Sequence, residues 1–246
     1  MNYKIILEYE GTHYKGWQRQ ISTENTIQGA IESAICEATG ESVEINGSGR
    51  TDAGTHALGQ TASFKLKNEY ENLMDMINEK LPADIRILSC EKVSDRFHAR
   101  LNAVGKTYCY KIDTGKKMNV FTRRTINHFE ADLDMDKMKA AAAKLTGTHD
   151  FKSFCANKRI KKSTVRTIYN IDIEKRGSEI TFTYKGNGFL YNMVRILTGT
   201  IIEIGMGKIP LEELDGIIEA RDRSKAGLTM PARGLTLMCV EYKEDK

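Results

Sequence analysis

The segment Gly47-Ser-Gly-Arg-Thr-Asp-Ala-Gly-Thr-His56 is where this chain concentrates residues able to do chemistry. Three glycines within eight residues permit positive φ and close backbone approach, and they frame Arg50, Asp52 and His56. A carboxylate held in such a loop can attack an electrophile or remove a proton. The same pattern also suits an ornate hairpin in which Asp52 only holds its own turn amides. A phosphate cradle fits less well, because no Gly-Lys-Ser/Thr follows and no helix opens directly after the loop. The second concentration is Lys158, Arg159, Lys161, Lys162 and Arg166, five cations within nine residues with no acidic neighbour among them. They form either a phosphate track or a solvated face.

Metal and redox chemistry find no support. His13, His128 and His149 share no ligand spacing, and the five cysteines are scattered without a C-x-x-C pair. No metal and no cofactor is expected.

The elements that must position these residues follow from periodicity. Ile5, Leu7 and Tyr9 alternate like a strand over Tyr3 to Tyr9, and Ile27, Ala30, Ile31, Ala34, Ile35 and Ala38 trace one helical face closing at Gly40. A short strand at Val43 to Ile45 is expected next. It is followed by an alternating strand through Leu58, Ala62, Phe64 and Leu66, a helix from Glu69 ending before Leu81-Pro82, and a strand from Ile85. The order is βαββαβ. The second half repeats it: strand Thr107 to Ile112, helix Met135 to Leu145, strands Tyr169 to Ile173 and Ile180 to Tyr184, helix Leu190 to Ile204, and a last strand Leu235 to Tyr242. A short helix, Leu211 to Ala220, precedes that last strand.

The predicted class is therefore α+β, with two ferredoxin-like halves whose sheets join into one large, mainly antiparallel sheet flanked by helices. The predicted division is residues 1–103, carrying the Asp52 loop, and residues 104–246. With 246 residues, three prolines and no Gly/Ser linker, the halves are expected to be packed and not tethered. The formal net charge of +4 is a mild basic excess that decides nothing alone. No apolar run approaches the roughly 18 residues of a membrane span and no signal segment opens the chain, so a cytoplasmic protein with no membrane association is expected.

Gly49-Arg-Thr-Asp-Ala-Gly-Thr-His56 resembles the signature of the TruA family of tRNA pseudouridine synthases. Six further blocks fall in the family's order: Tyr14-Lys-Gly-Trp-Gln-Arg-Gln20, Phe97-His-Ala-Arg100, Lys106-Thr-Tyr-Cys-Tyr110, Asp150-Phe-Lys-Ser-Phe154, Ser163-Thr-Val-Arg-Thr167 and Gly188-Phe-Leu-Tyr-Asn-Met-Val-Arg195. The resemblance implies a pseudouridine synthase fold and conversion of uridine to pseudouridine in the anticodon stem-loop of tRNA, at positions 38, 39 and 40, by a homodimer without a cofactor. It implies that Asp52 is the catalytic residue and that Arg195 pairs with its carboxylate. Tyr108 corresponds to the active-site tyrosine, Leu190 and Met193 wall the pocket, and Arg50 faces the RNA. Arg19 and the Lys158 to Arg166 segment are expected to contribute backbone contacts. His56, His98 and Arg100 are expected in structural or RNA-contacting roles. Thr55 departs from the family, which more often has valine there.

A uracil inside an RNA helix must be turned out before it can react. Stacking on Tyr108 would recover roughly 1 to 3 kcal/mol of what unstacking loses. Two other readings remain open on residues alone: a non-catalytic RNA-binding module, and an enzyme acting on a small phosphorylated nucleoside. Lys106-Thr-Tyr-Cys-Tyr110 lacks the Gly-Phe-x-Phe pattern that an RNA-recognition strand would carry.

Overall fold

A computed structural model describes residues 1–157 and 159–243. In chain order its elements are β1 (Asn2–Tyr9), α1 (Ile27–Thr39), β2 (Asn46–Gly47), β3 (His56–Lys65), α2 (Leu73–Asn78), β4 (Ile85–Val93) and β5 (Ala103–Asp113). There follow β6 (Asn127–His128), α3 (Met135–Leu145), β7 (Gly147–Asp150), β8 (Val165–Arg176), β9 (Glu179–Gly186), α4 (Met193–Gly205), α5 (Leu214–Ala220) and β10 (Leu235–Tyr242). The chain divides into two units, Met1–Val104 with the segment from Thr236, and Gly105–Leu235.

The first unit has the βαββαβ order. Its sheet runs β4-β1-β3, both pairings antiparallel, with β1 in the middle. The two ends of β3 have different neighbours: β10 runs parallel to its start, Thr236 opposite His56, and β2 runs antiparallel near its finish, Asn46 opposite Ser63. Helix α1 forms where Thr26 caps it by accepting the Gly29 N–H at 3.2 Å, and it stops where Gly40 turns to φ 73°. Its apolar face, Ile27, Ile31, Ala34 and Ile35, is buried, as are Tyr3, Ile5, Leu7 and Tyr9 of β1.

The other face of this sheet is covered as well. The Lys4 ammonium lies over the rings of Phe97 and Tyr242, and Ser63 accepts the Ala99 N–H at 3.1 Å while Tyr242 donates to the Ala99 carbonyl at 2.7 Å. The Phe97-His-Ala-Arg100 block is thus a structural lid on β1 and β3. Burial on both sides explains why β3 does not alternate as its sequence suggests: Gln60, Thr61 and Ser63 are buried with Ala62 and Phe64, whereas Leu58 is exposed.

Two boundaries shift for identifiable reasons. Ile45 buries its side chain, but its N–H donates to the Glu32 carboxylate at 3.0 Å, so strand pairing begins at Asn46 and not at Val43. Helix α2 is only six residues long because Asn72, at φ 54°, interrupts the chain before Leu73.

In the second unit β5 pairs antiparallel with β9, β9 with β8 and β8 with β7, while β6 runs parallel to the end of β5. Tyr108 stands opposite Tyr184, Tyr110 opposite Phe182 and Ile112 opposite Ile180. Helix α3 is capped by Asp134, whose side chain accepts the N–H groups of Asp136 and Lys137; those amide bonds, with the Lys137 ammonium adding to them, hold its carboxyl below its usual range. Helix α4 presents Ile196, Leu197, Ile201 and Ile204 to the core and packs on α3. It starts at Met193, three residues later than its periodicity suggests, since Asn192 takes a left-handed conformation at φ 59°. Both units are α+β, and the pairings within them are antiparallel except β10 with β3 and β6 with β5. No helix among the described residues is long and apolar enough to cross a membrane.

Candidate active site

Asp52 sits at the head of a tight turn between β2 and β3. The Thr55 N–H donates to the Asp52 carbonyl at 3.1 Å, and Gly54 occupies the third position at φ 77°, a conformation that costs glycine nothing. The backbone on either side is pinned from a distance. The Trp17 N–H donates to the Thr51 carbonyl at 3.1 Å, and the Tyr9 hydroxyl shares a 2.8 Å hydrogen bond with the Thr51 hydroxyl, both buried. Burial of Tyr9 pushes its pKa upward, so the phenol stays protonated. Upstream, Ser48 donates to Gln60 at 2.7 Å, and the Gln60 amide donates to the Gly49 carbonyl at 3.0 Å.

The glycines are required by contact. A Cβ on Gly16, itself at φ 96°, would lie 2.8 Å from the Thr51 carbonyl oxygen and 3.2 Å from the Asp52 carbonyl carbon. One on Gly47 would meet the Trp17 indole at 2.5 Å. The Gly-Trp segment therefore serves as the wedge that shapes the turn. Gln28 and Glu32 of α1 hold that segment in place: Gln28 Oε1 accepts from Gln18 Nε2 at 2.8 Å and from the Arg19 N–H at 3.0 Å, and Glu32 accepts from Gln28 at 2.9 Å.

The result is a half-buried Asp52 side chain on a fully constrained backbone. Arg50, two residues earlier, is exposed. His56 is buried and structural: its Nδ1 accepts the Gly11 N–H at 3.0 Å, which places the proton of the neutral ring on Nε2. The Thr55 hydroxyl is buried with no hydrogen-bond partner among the described residues. Arg19 is exposed and forms a 3.3 Å ion pair with Glu32.

Tyr108, Leu190 and Arg195 all lie in the second unit. The Tyr108 ring, 8% exposed, meets Phe189 edge-on with centroids 5.3 Å apart. Phe189 is a contact that periodicity gave no reason to single out. Leu190 is buried, and its backbone N–H points to the Met193 sulfur at 3.4 Å. Arg195, in the first turn of α4 and half-buried, donates through Nε to the Met230 carbonyl at 2.6 Å and through Nη1 to Asn192 at 2.8 Å. These bonds aim the guanidinium. Burial raises the pKa of the nearby Tyr110 hydroxyl, while the positive charges of Arg195 and Arg233 oppose that rise; the hydroxyl donates to the Pro231 carbonyl at 2.7 Å.

Of the basic segment, Lys158 lies outside the described residues. Arg159, Lys161 and Lys162 are exposed, whereas Arg166 is half-buried and turns Nη1 onto the Ser163 and Val165 carbonyls at 3.0 and 2.6 Å.

A family model described as tRNA pseudouridine synthase matches residues 5–102 and 141–243, most of the chain and both units. The chain belongs to the tRNA pseudouridine synthase family. It is 43% identical over 243 residues to tRNA pseudouridine synthase A 2 of Bacillus cereus, covering 98% of this chain and 99% of that one. It is 44% identical over 241 residues to tRNA pseudouridine synthase A of Brevibacillus brevis, with 97% and 98% covered. To tRNA pseudouridine synthase A 2 of Clostridium tetani it is 46% identical over 244 residues, with 98% of each chain covered.

Proposed function

We propose that this chain converts uridine to pseudouridine in the anticodon stem-loop of tRNA, at positions 38, 39 and 40, as a cytoplasmic homodimer with Asp52 as its catalytic residue. The observation that carries this reading is the Asp52 turn: a half-buried carboxylate on a backbone fixed by Tyr9, Trp17 and Gly16, within the block that marks the family. In the reaction the bond from ribose C1′ to uracil N1 breaks, the base rotates, and C5 joins C1′. The proton on C5 departs and N1 gains one, so atoms and electrons balance without a redox partner. An ionised carboxylate serves either by bonding covalently to ribose C1′ or uracil C6, or by assisting loss of the 2′ proton, and in each case it must lie close to the glycosidic bond.

The family resemblance supplies the remaining roles. Tyr108 takes the face of the everted uracil, Leu190 and Met193 exclude water from the cleaved base, and Arg195 keeps the carboxylate ionised. Its bonds to Met230 and Asn192 fix the side chain from which that charge acts. Arg50, Arg19, Lys158, Arg159, Lys161, Lys162 and Arg166 contribute backbone recognition.

Incubating the protein with unmodified tRNA and mapping pseudouridine by position tests the reading. Product confined to the 38–40 region is expected, with none from free uridine; turnover of free uridine, or bound tRNA left unmodified, would sink it.

A further inference from the structure

The segment between β5 and β6 carries a patch that the roles above do not use. From Lys116 to Arg124 the sequence reads Lys-Lys-Met-Asn-Val-Phe-Thr-Arg-Arg, four cations with no carboxylate among them. Phe121 is 93% exposed, and Met118 and Val120 beside it are exposed as well. A lone apolar residue at the surface needs no explanation, but three together at one tip, bracketed by positive charge, do.

The tip is also built. Asn119 accepts the Phe121 N–H through its side chain at 2.9 Å, and Arg123 Nη1 donates to the Val120 carbonyl at 2.5 Å. The Thr122 carbonyl accepts from the N–H groups of Thr125 and Ile126 at 3.0 and 2.9 Å. Both ends are anchored in the sheet of the second unit, by Thr114 N–H to the Ser178 carbonyl at 2.8 Å and by Asn127 paired with Ile112. The backbone that carries the ring is therefore largely set before binding.

We infer that this loop is an RNA-contacting element in which Phe121 stacks on an unpaired base while Lys116, Lys117 and Arg123 engage the flanking phosphates. An aromatic face offers stacking to any base, and a run of cations without acids matches a polyanion. The inference rests on the RNA substrate of the proposed function and adds a contact separate from the Asp52 turn.

Three variants test it on the full chain with unmodified tRNA. Phe121→Ala removes a side chain that touches no core, and it should weaken tRNA binding by roughly 5- to 100-fold without changing the salt dependence. Lys116→Ala with Lys117→Ala should instead lower the slope of log affinity against log salt by roughly one to two. Phe121→Trp should retain binding, and its emission should be quenched by tRNA against the background of the single native tryptophan, buried Trp17. Wild-type binding and turnover in Phe121→Ala would overturn the inference. So would loss of self-association in that variant with tRNA affinity intact, which would make the patch a subunit contact, or loss only of binding to anionic vesicles. Failure of the proposed function shows differently, because the wild-type protein itself would then make no pseudouridine.

Discussion

The Asp52 turn and the basic stretch from Arg159 to Arg166 are both short, polar and rich in charge, yet they are held in opposite ways. The turn is fixed by groups far away in sequence, Tyr9 and Trp17, by the wedge of Gly16 and Trp17, and by Gln60 of the adjoining strand. The basic stretch rests on local bonds as far as Ser163, with Asn157 accepting the Arg159 N–H and Ser163 the Val165 N–H, and only its end, Val165 and Arg166, is tied to a distant segment by pairing with β7. Local bonds choose a conformation, but only long-range bonds choose a position. A reacting carboxylate needs position to within a fraction of an ångström, whereas a phosphate contact tolerates a mobile cation.

Four variants break or sharpen that contrast. The largest effect belongs to Asp52→Asn, which should lower pseudouridine formation at least about a thousandfold in single-turnover assays while leaving tRNA affinity near wild type. A protein that only binds RNA would be indifferent to it. Gly16→Ala leaves every polar group of the site in place but forces a Cβ against the turn from a left-handed conformation. It should cost about 2 to 4 kcal/mol in urea unfolding and slow catalysis more than it weakens binding.

Next in size, Lys161→Ala with Lys162→Ala should weaken tRNA binding roughly tenfold at low salt, flatten its salt dependence, and leave the unfolding midpoint unchanged. The smallest effect is a gain. Thr55→Val removes a buried hydroxyl without a partner and should stabilise the protein by about 1 kcal/mol with activity retained, read from the same urea curves.

Legibility in the sequence followed the same division. Helix α1 could be read because its apolar face is continuous and Gly40 announces its end, and α3 and β10 because their apolar periods are clean. Strand β7 could not, since Gly147-Thr-His-Asp150 is polar, four residues long, and owes its conformation to pairing with β8. The shift of β2 depends on a carboxylate thirteen residues back capturing the Ile45 N–H, which no local pattern encodes. At the site, the glycines and Asp52 were visible by type and spacing. The reason for Gly16 and Gly47, contact with the turn and with Trp17, appears only in three dimensions. The 116–124 loop carries no period or motif, and the exposure of Phe121 among its cations appears only in three dimensions.

Strand β10 sets a schedule for biosynthesis. Thr236 and Leu237 pair with His56 and Ala57, the residues that close the Asp52 turn, yet they are translated roughly 180 residues later. At elongation rates of roughly 5 to 20 residues per second the first unit waits on the order of ten seconds or more for its last strand. Until then the start of β3 lacks this neighbour, so the unit that begins synthesis first is among the last to be completed.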